Sequence, residues 1–128
     1  MVMRIFILED DDYRNSQFRE TLFHTDATFT TSYDEAVKAY NGPYDVVCLD
    51  HDLGGQQMVS SQEQNTGYQF TKWMPPAGSV PPVVFIHSYN PNGAENMFQE
   101  LTSKGYQPIK MPFGPTILSV LKSLYTQR

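Results

Sequence analysis

The chain has 128 residues, of which 40% are hydrophobic and 13% aromatic, the balance of a globular protein and not of a disordered one. Its formal net charge of −5 and its lack of any Lys/Arg run argue against a nucleic-acid duplex as partner, because a phosphate backbone is normally met by a basic face. No apolar stretch approaches the roughly 20 residues that cross a bilayer, which argues against a membrane span.

In chain order, RIFIL (4–8) is a short apolar run stopped by acidic residues, as a buried strand would be. The opening MVMRIFILEDDD is too short and too acidic for a secretory signal, so a cytoplasmic chain is expected. DDYRNSQFRETLFH then sets Tyr13, Phe18, Leu22 and Phe23 at helical spacing, with His24 as a partner for the helix C-terminus. ATFTTS is a β-branched second strand, and Ser32 with Glu35 makes a capping box that opens the helix YDEAVKAY, closed by Gly42-Pro43. DVVCL is a third strand, apolar throughout, as in a parallel sheet covered on both faces. The single Cys48 lies inside it and reads as core.

GGQQMVSSQEQNT has no period and reads as a loop. GYQFTKWM is a short helix in which Trp73, three residues after Phe70, reads as core; PPAGSVPP ends it. VVFIH is strand four, PNGAENMFQELTSKG a helix stopped by Gly105, YQPIKM strand five, and GPTILSVLKSLY a last helix with Pro115 in its first turn. Five alternating β–α units without a linker or repeat predict one α/β domain over 1–128, a doubly wound parallel sheet with helices on both faces.

In such sheets the site lies beyond the carboxyl ends of the strands. Glu9, Asp10, Asp11 and Asp12 follow strand one, Asp50, His51 and Asp52 follow strand three, and His87, Ser88 and Asn90 follow strand four. Six of the fourteen acidic residues and two of the three histidines therefore gather at one rim, which marks it as the site.

An acidic pair after strand one and an Asp ending strand three resemble the receiver domains of two-component signalling. That resemblance implies a receiver (flavodoxin-like) strand order of 2-1-3-4-5. Two departures stand out: His87 occupies the place of the receiver Thr or Ser, and Met111 the place of the Lys before Pro112. Lys110 falls one residue early, on the opposite face of a strand. LDHDLG (49–54), TGYQFTKW (66–73) and IHSYNPNGAENM (86–97) are more closely similar to the receiver-like family predicted to process cyclic phosphates. The match runs over most of the chain, although the 55–66 loop is longer than expected.

Clustered carboxylates repel unless a cation or a shared proton relieves them. Glu9, Asp10, Asp50 and Asp52 are therefore candidate ligands for Mg²⁺ or Mn²⁺, the nearby imidazoles favouring Mn²⁺ or another transition ion. Asp52 could alternatively hold His51 or cap the next turn, and Asp11 and Asp12 read as solvated. His51 and His87, on adjacent strands, are expected to supply the base and the acid that open a cyclic phosphodiester, with Asp50 beside them. Ser88, Asn90 and Gly93 would cradle a phosphate at the start of the fourth helix, or form an ordinary Asn-Pro turn with an N-cap. Thr66 and Gly67 start the third helix in the same way; Tyr68 and Tyr89 could stack on a base or ribose, or simply pack.

The leading expectation is a phosphoesterase acting on the cyclic phosphate of a nucleotide, an RNA end or a nucleotide-sugar. A module that binds a phosphorylated nucleotide without turnover, and a degenerate receiver phosphorylated on Asp50, are the alternatives. No expectation is formed for the oligomeric state.

Overall fold

The structure, a computed structural model, describes residues 2–126. Five strands alternate with five helices: β1 (Arg4–Leu8), α1 (Asp12–Thr21), β2 (Asp26–Thr30), α2 (Tyr33–Ala39), β3 (Val46–Leu49), α3 (Gly67–Trp73), β4 (Val83–Ile86), α4 (Pro91–Ser103), β5 (Pro108–Lys110) and α5 (Pro115–Thr126). All strand pairs are parallel and the order is β2-β1-β3-β4-β5, so the predicted doubly wound sheet and its strand order are what form. Among the described residues no helix is long and apolar enough to cross a membrane.

The apolar runs are explained by the two faces they cover. Ile5, Ile7, Val46, Cys48 and Phe85 pack against Phe18 and Leu22 at α1 and against Ile117 and Leu121 of α5. Phe6, Leu8, Val47, Leu49, Val84 and Ile86 pack on the other face against Ala36 of α2, Phe70 of α3, and Met97 and Leu101 of α4. Side chains alternate along a strand, and the ladder continues past the strand ends through Glu9 N–H to Thr30, Asp50 N–H to Leu8 and His87 N–H to Leu49. The same alternation therefore delivers Glu9, Asp50 and His87 to the α1/α5 face, and His51 to the α3/α4 face.

Helix starts follow the sequence signals. Ser32 Oγ accepts the Glu35 N–H at 3.1 Å, and Glu35 Oε1 accepts the Thr31 N–H at 2.9 Å, a capping box whose return bond falls one residue early. Asp11, Thr66 and Asn90 cap α1, α3 and α4. Asp11 is thus a cap and not only a solvated acid.

Not every aromatic at helical spacing is buried, and Trp73, expected in the core, is only partly covered. Tyr13 and Phe23 are 68% and 71% exposed, because Tyr13 lies roughly 140° around α1 from Phe18 and Phe23 follows the helix end. Trp73 stacks on Phe70 at 5.6 Å but is 39% exposed, since α3 stops there and leaves its outer edge uncovered.

The entry to α3 is tightly fixed. The Gly67 N–H donates to the His51 carbonyl at 2.9 Å, and a Cβ on Gly67 would sit 1.8 Å from the Asp50 carbonyl oxygen and 2.8 Å from the Met97 methyl. Gly67→Ala is expected to lower unfolding stability by about 3 kcal/mol or more, read by urea denaturation; a stability equal to wild type would refute this packing.

Candidate functional site

Three side chains from three strands meet at the carboxyl edge of the sheet. Glu9, Asp50 and His87 are buried, and each offers a ligand atom within 4.8 Å of the others. Glu9 Oε1 lies 3.0 Å from His87 Nε2, and Glu9 Oε2 accepts the Asp11 N–H at 3.0 Å. Asp50 Oδ1 accepts the His51 N–H at 2.8 Å. The Arg14 guanidinium stands over the cluster, 3.6 Å from Glu9 Oε1 and 3.8 Å from Asp50 Oδ2. Charged oxygens so far from water are costly unless a counter-charge or a proton compensates them.

Proton affinities reflect that cost. Burial raises the Asp50 carboxyl from 3.8 to about 7, although His87 opposes the rise. Burial also raises Glu9, partly offset by the Asp11 amide and the Arg14 charge. The hydrogen bond between the two carboxyls favours the proton on Asp50 and the charge on Glu9. His87, buried against Phe18 with ring centroids 5.3 Å apart, is pushed down to about 4 by desolvation. It is therefore neutral, its Nε2–H donating to Glu9, while Nδ1 is a buried lone pair with no hydrogen-bond partner among the described residues.

His51 belongs to a second network on the other face. Its Nδ1 lies 2.8 Å from Asp52 Oδ1 and its Nε2 lies 2.8 Å from Ser61 Oγ, and that Oγ accepts an N–H of Asn96 at 2.9 Å. Asp52 further accepts the Met58 N–H at 2.7 Å, the Val59 N–H at 3.2 Å and the Asn90 amide at 3.0 Å. Although some burial opposes it, these bonds hold Asp52 below the usual carboxylate range. The network stitches the 55–66 loop to the sheet, and the Gly55 N–H is pinned to Asp10 Oδ2 at 2.6 Å. Gly93 closes the other side, since a Cβ there would lie 2.4 Å from the His51 ring.

Between the two networks opens a cavity of about 540 Å³, lined by Asp10, Asp11, Asp12, Arg14, Asp50, Asp52, Gly55, Gln56, Gln57, Met58, Ser88 and Tyr89. Asp50 alone belongs both to the buried cluster and to this wall. Of the expected metal ligands, Glu9 and Asp50 come together and His87 joins them; Asp10 and Asp52 stay on the cavity wall. The expected pair of facing imidazoles does not form, because alternation puts His51 and His87 on opposite faces and both rings are fully buried.

Of the expected phosphate-cradling residues, Ser88 lines the cavity and its Oγ accepts the Asn90 N–H at 3.0 Å. Asn90 and Thr66 lie behind the wall as helix caps, and Gly67 and Gly93 serve close packing. Tyr68 packs on the α2/α3 core instead of the rim, with the Lys72 ammonium 5.8 Å from its ring. Tyr89 does reach the cavity. Sequence reading missed Arg14, whose signal was its place one turn after the Asp11 cap, and Ser61 and Asn96, which lie far along the chain from His51 and gave no signal.

The model of the family described as the cyclic-phosphate processing receiver domain matches residues 3–103. The chain belongs to that family. No curated protein matches it. Among solved structures, this receiver domain is similar to the BeF₃-activated receiver domain of DrrB (TM-score 0.67, 15% identity, 100% of each chain covered). It is also similar to the HemR receiver domain of Leptospira biflexa (0.65, 18%, 97% of this chain and 94% of that one) and to the chemotaxis response regulator CheY4 of Vibrio cholerae (0.60, 20%, 97% of each). Identities this low show the shared fold alone.

Where a signalling receiver would carry its Lys, this receiver domain has Met111, packed on the α1/α5 core. Lys110 points to the other face, bonded to Glu95 at 2.7 Å. Arg14, from α1, is the basic side chain that stands over the Glu9–Asp50 pair.

The raised Asp50 carboxyl makes a pH prediction. In the unfolded chain Asp50 titrates near 3.8 and in the fold near 7, so its contribution is full below 3.8 and lost as pH rises through about 7. His87 acts oppositely: its contribution is full above 6.5 and lost as pH falls through about 4. Comparison with Asp50→Asn isolates the first effect. Without divalent cations, the stability of Asp50→Asn relative to wild type should rise by roughly 2–4 kcal/mol between about pH 4 and pH 8, measured by urea unfolding. A pH-independent difference would contradict it.

Proposed function

We propose that this receiver domain is a divalent-cation-dependent phosphoesterase that opens a cyclic phosphate carried by a nucleotide, an RNA terminus or a nucleotide-sugar. The observation that carries the reading is the position of Asp50, which joins a buried Glu9–His87 cluster to a cavity of about 540 Å³. That volume is of the order of a nucleotide-sized ligand, and the family's description names cyclic phosphates.

An anionic phosphate entering this cavity meets five carboxyl side chains and one guanidinium. Repulsion would exclude it without a cation. Two carboxylates, one of them an Asp50 that otherwise keeps a proton, and an imidazole whose Nε2 lies 3.0 Å from Glu9 while its Nδ1, without a partner among the described residues, can hold the ring proton, fit Mg²⁺ or, better, Mn²⁺. Glu9, Asp50 and His87 would hold the ion, with Asp10 at the rim, and the ion would supply positive charge to the phosphate oxygens.

The chain's own groups divide the remaining work. Arg14 and Ser88 border the phosphate, and the half-exposed Tyr89 offers a ring face to a base or ribose. Asp52, held ionised on the opposite wall, would orient the attacking water and take its proton, steadied by the His51 ring 2.8 Å away. As the new P–O bond forms the ring P–O bond breaks, and the departing sugar oxygen takes its proton from water in the open cavity. In this scheme His51 acts through Asp52, and His87 acts through the cation cluster. The expected two-histidine chemistry becomes two separate carboxylate–imidazole couples. No duplex nucleic acid is needed as a partner; the ligand is a small nucleotide or a strand end.

Hydrolysis of a panel of nucleoside 2′,3′-cyclic, 3′,5′-cyclic and nucleotide-sugar cyclic phosphates, with Mg²⁺ or Mn²⁺ or with chelator, tests this. Wild type should open at least one, and only with cation. Asp50→Asn and His51→Ala should slow it by about 100-fold or more. A wild type that binds a ligand but returns it unchanged, or variants that match wild type, would defeat the reading.

A further inference from the structure

We propose that Arg14 is the phosphate-recognition residue of this cavity, its guanidinium passing from the Glu9 and Asp50 carboxylates to the ligand's phosphate when a divalent cation takes those carboxylates. The assignment rests on the phosphoesterase reading for its cation and ligand, but not on turnover.

Four observations converge on Arg14. It is the sole basic side chain among the residues that line the cavity. Its distances to Glu9 Oε1 and Asp50 Oδ2, 3.6 and 3.8 Å, are those of ion pairs and not of close hydrogen bonds, so its donors are not fully used there. The side chain is 28% exposed, enough to reach a ligand in the cavity.

The guanidinium also lies against two aromatic rings. The guanidinium carbon lies 5.1 Å from the Tyr89 ring centroid and 5.8 Å from that of Phe113, and the Tyr89 hydroxyl donates to the Phe113 carbonyl. A guanidinium steadied on aromatic faces presents a fork that matches two phosphate oxygens.

Charge then sets the direction of exchange. A cation bound by Glu9 and Asp50 repels Arg14 and removes its partners, while the cation and Arg14 together make a site for an anion that the surrounding carboxylates otherwise exclude. Lys110, the other basic residue near this end of the sheet, cannot substitute, because it is bonded to Glu95 and lies over Phe98 on the far face.

This arrangement predicts opposite signs for two affinities. Mn²⁺ binding, measured by water-proton relaxation and calorimetry, should strengthen about threefold or more in Arg14→Gln, since a like charge beside the ligands is gone. Inorganic phosphate binding at saturating Mg²⁺, measured by calorimetry, should weaken about tenfold or more in the same variant. Arg14→Lys keeps the charge, so its Mn²⁺ affinity should match wild type and its phosphate affinity should fall between the two. A purely structural Arg14 would move both affinities in one direction or neither.

Unchanged phosphate affinity in Arg14→Gln, weakened Mn²⁺ binding in it, or a wild type that binds no phosphate with either cation would overturn the assignment. Opposite-sign shifts in a protein that hydrolyses no cyclic phosphate would uphold Arg14 and defeat the esterase. Hydrolysis with an unaltered KM in Arg14→Gln would do the reverse.

Discussion

Two carboxylates buried at the ends of adjacent parallel strands, Asp50 just reaching the cavity wall, are the constraint on which this molecule turns. Glu9 and Asp50 face each other under Arg14, with neutral His87 closing the third side. Desolvated charges of like sign are tolerated only when a proton, an organic cation or a metal ion offsets them. The first two remedies are at hand: burial pushes the Asp50 carboxyl up to about 7, which favours a proton there, and Arg14 stands at ion-pair distance. The third remedy is the one the proposed function relies on, because a metal ion there would place positive charge beside an open cavity.

The rest of the site follows from alternation along three short strands. One face receives the carboxylates and His87; the other receives His51, which binds Asp52 and Ser61 and so anchors the long loop that forms the far wall. Each histidine stands behind a carboxylate instead of in the cavity. That division keeps both imidazoles away from solvent and leaves carboxyl groups, a guanidinium, a hydroxyl and a tyrosine ring to line the cavity. The family relationship and this geometry are consistent: the receiver sheet brings the carboxylate cluster to one edge, and the 55–66 loop forms part of the wall of the cavity beside it.

Much of this was legible in the sequence. Apolar runs such as VVCL and the turn residues between them specify the doubly wound sheet, because each run must bury both faces. The acidic rim was readable from strand ends alone. The placement of the histidines was not read correctly, although the information was present: counting alternate residues from Cys48 to Asp50 and from Phe85 to His87 puts those two together and sends His51 to the other face. Arg14 and Ser61 lay beyond such counting, since a helix phase and a loop path decide where they point. Asn90, Thr66 and Gly67 carry strong motif signals that turn out to serve capping and close packing. A motif fixed in sequence need not touch the ligand.

The most direct test of the central claim is anomalous X-ray diffraction from crystals of the wild-type protein equilibrated with Mn²⁺. The account predicts a single strong peak within bonding distance of the Glu9 and Asp50 carboxylates, with Arg14 turned away from both. Density only at the exposed Asp11 and Asp12 carboxylates, or none at millimolar Mn²⁺, would contradict it.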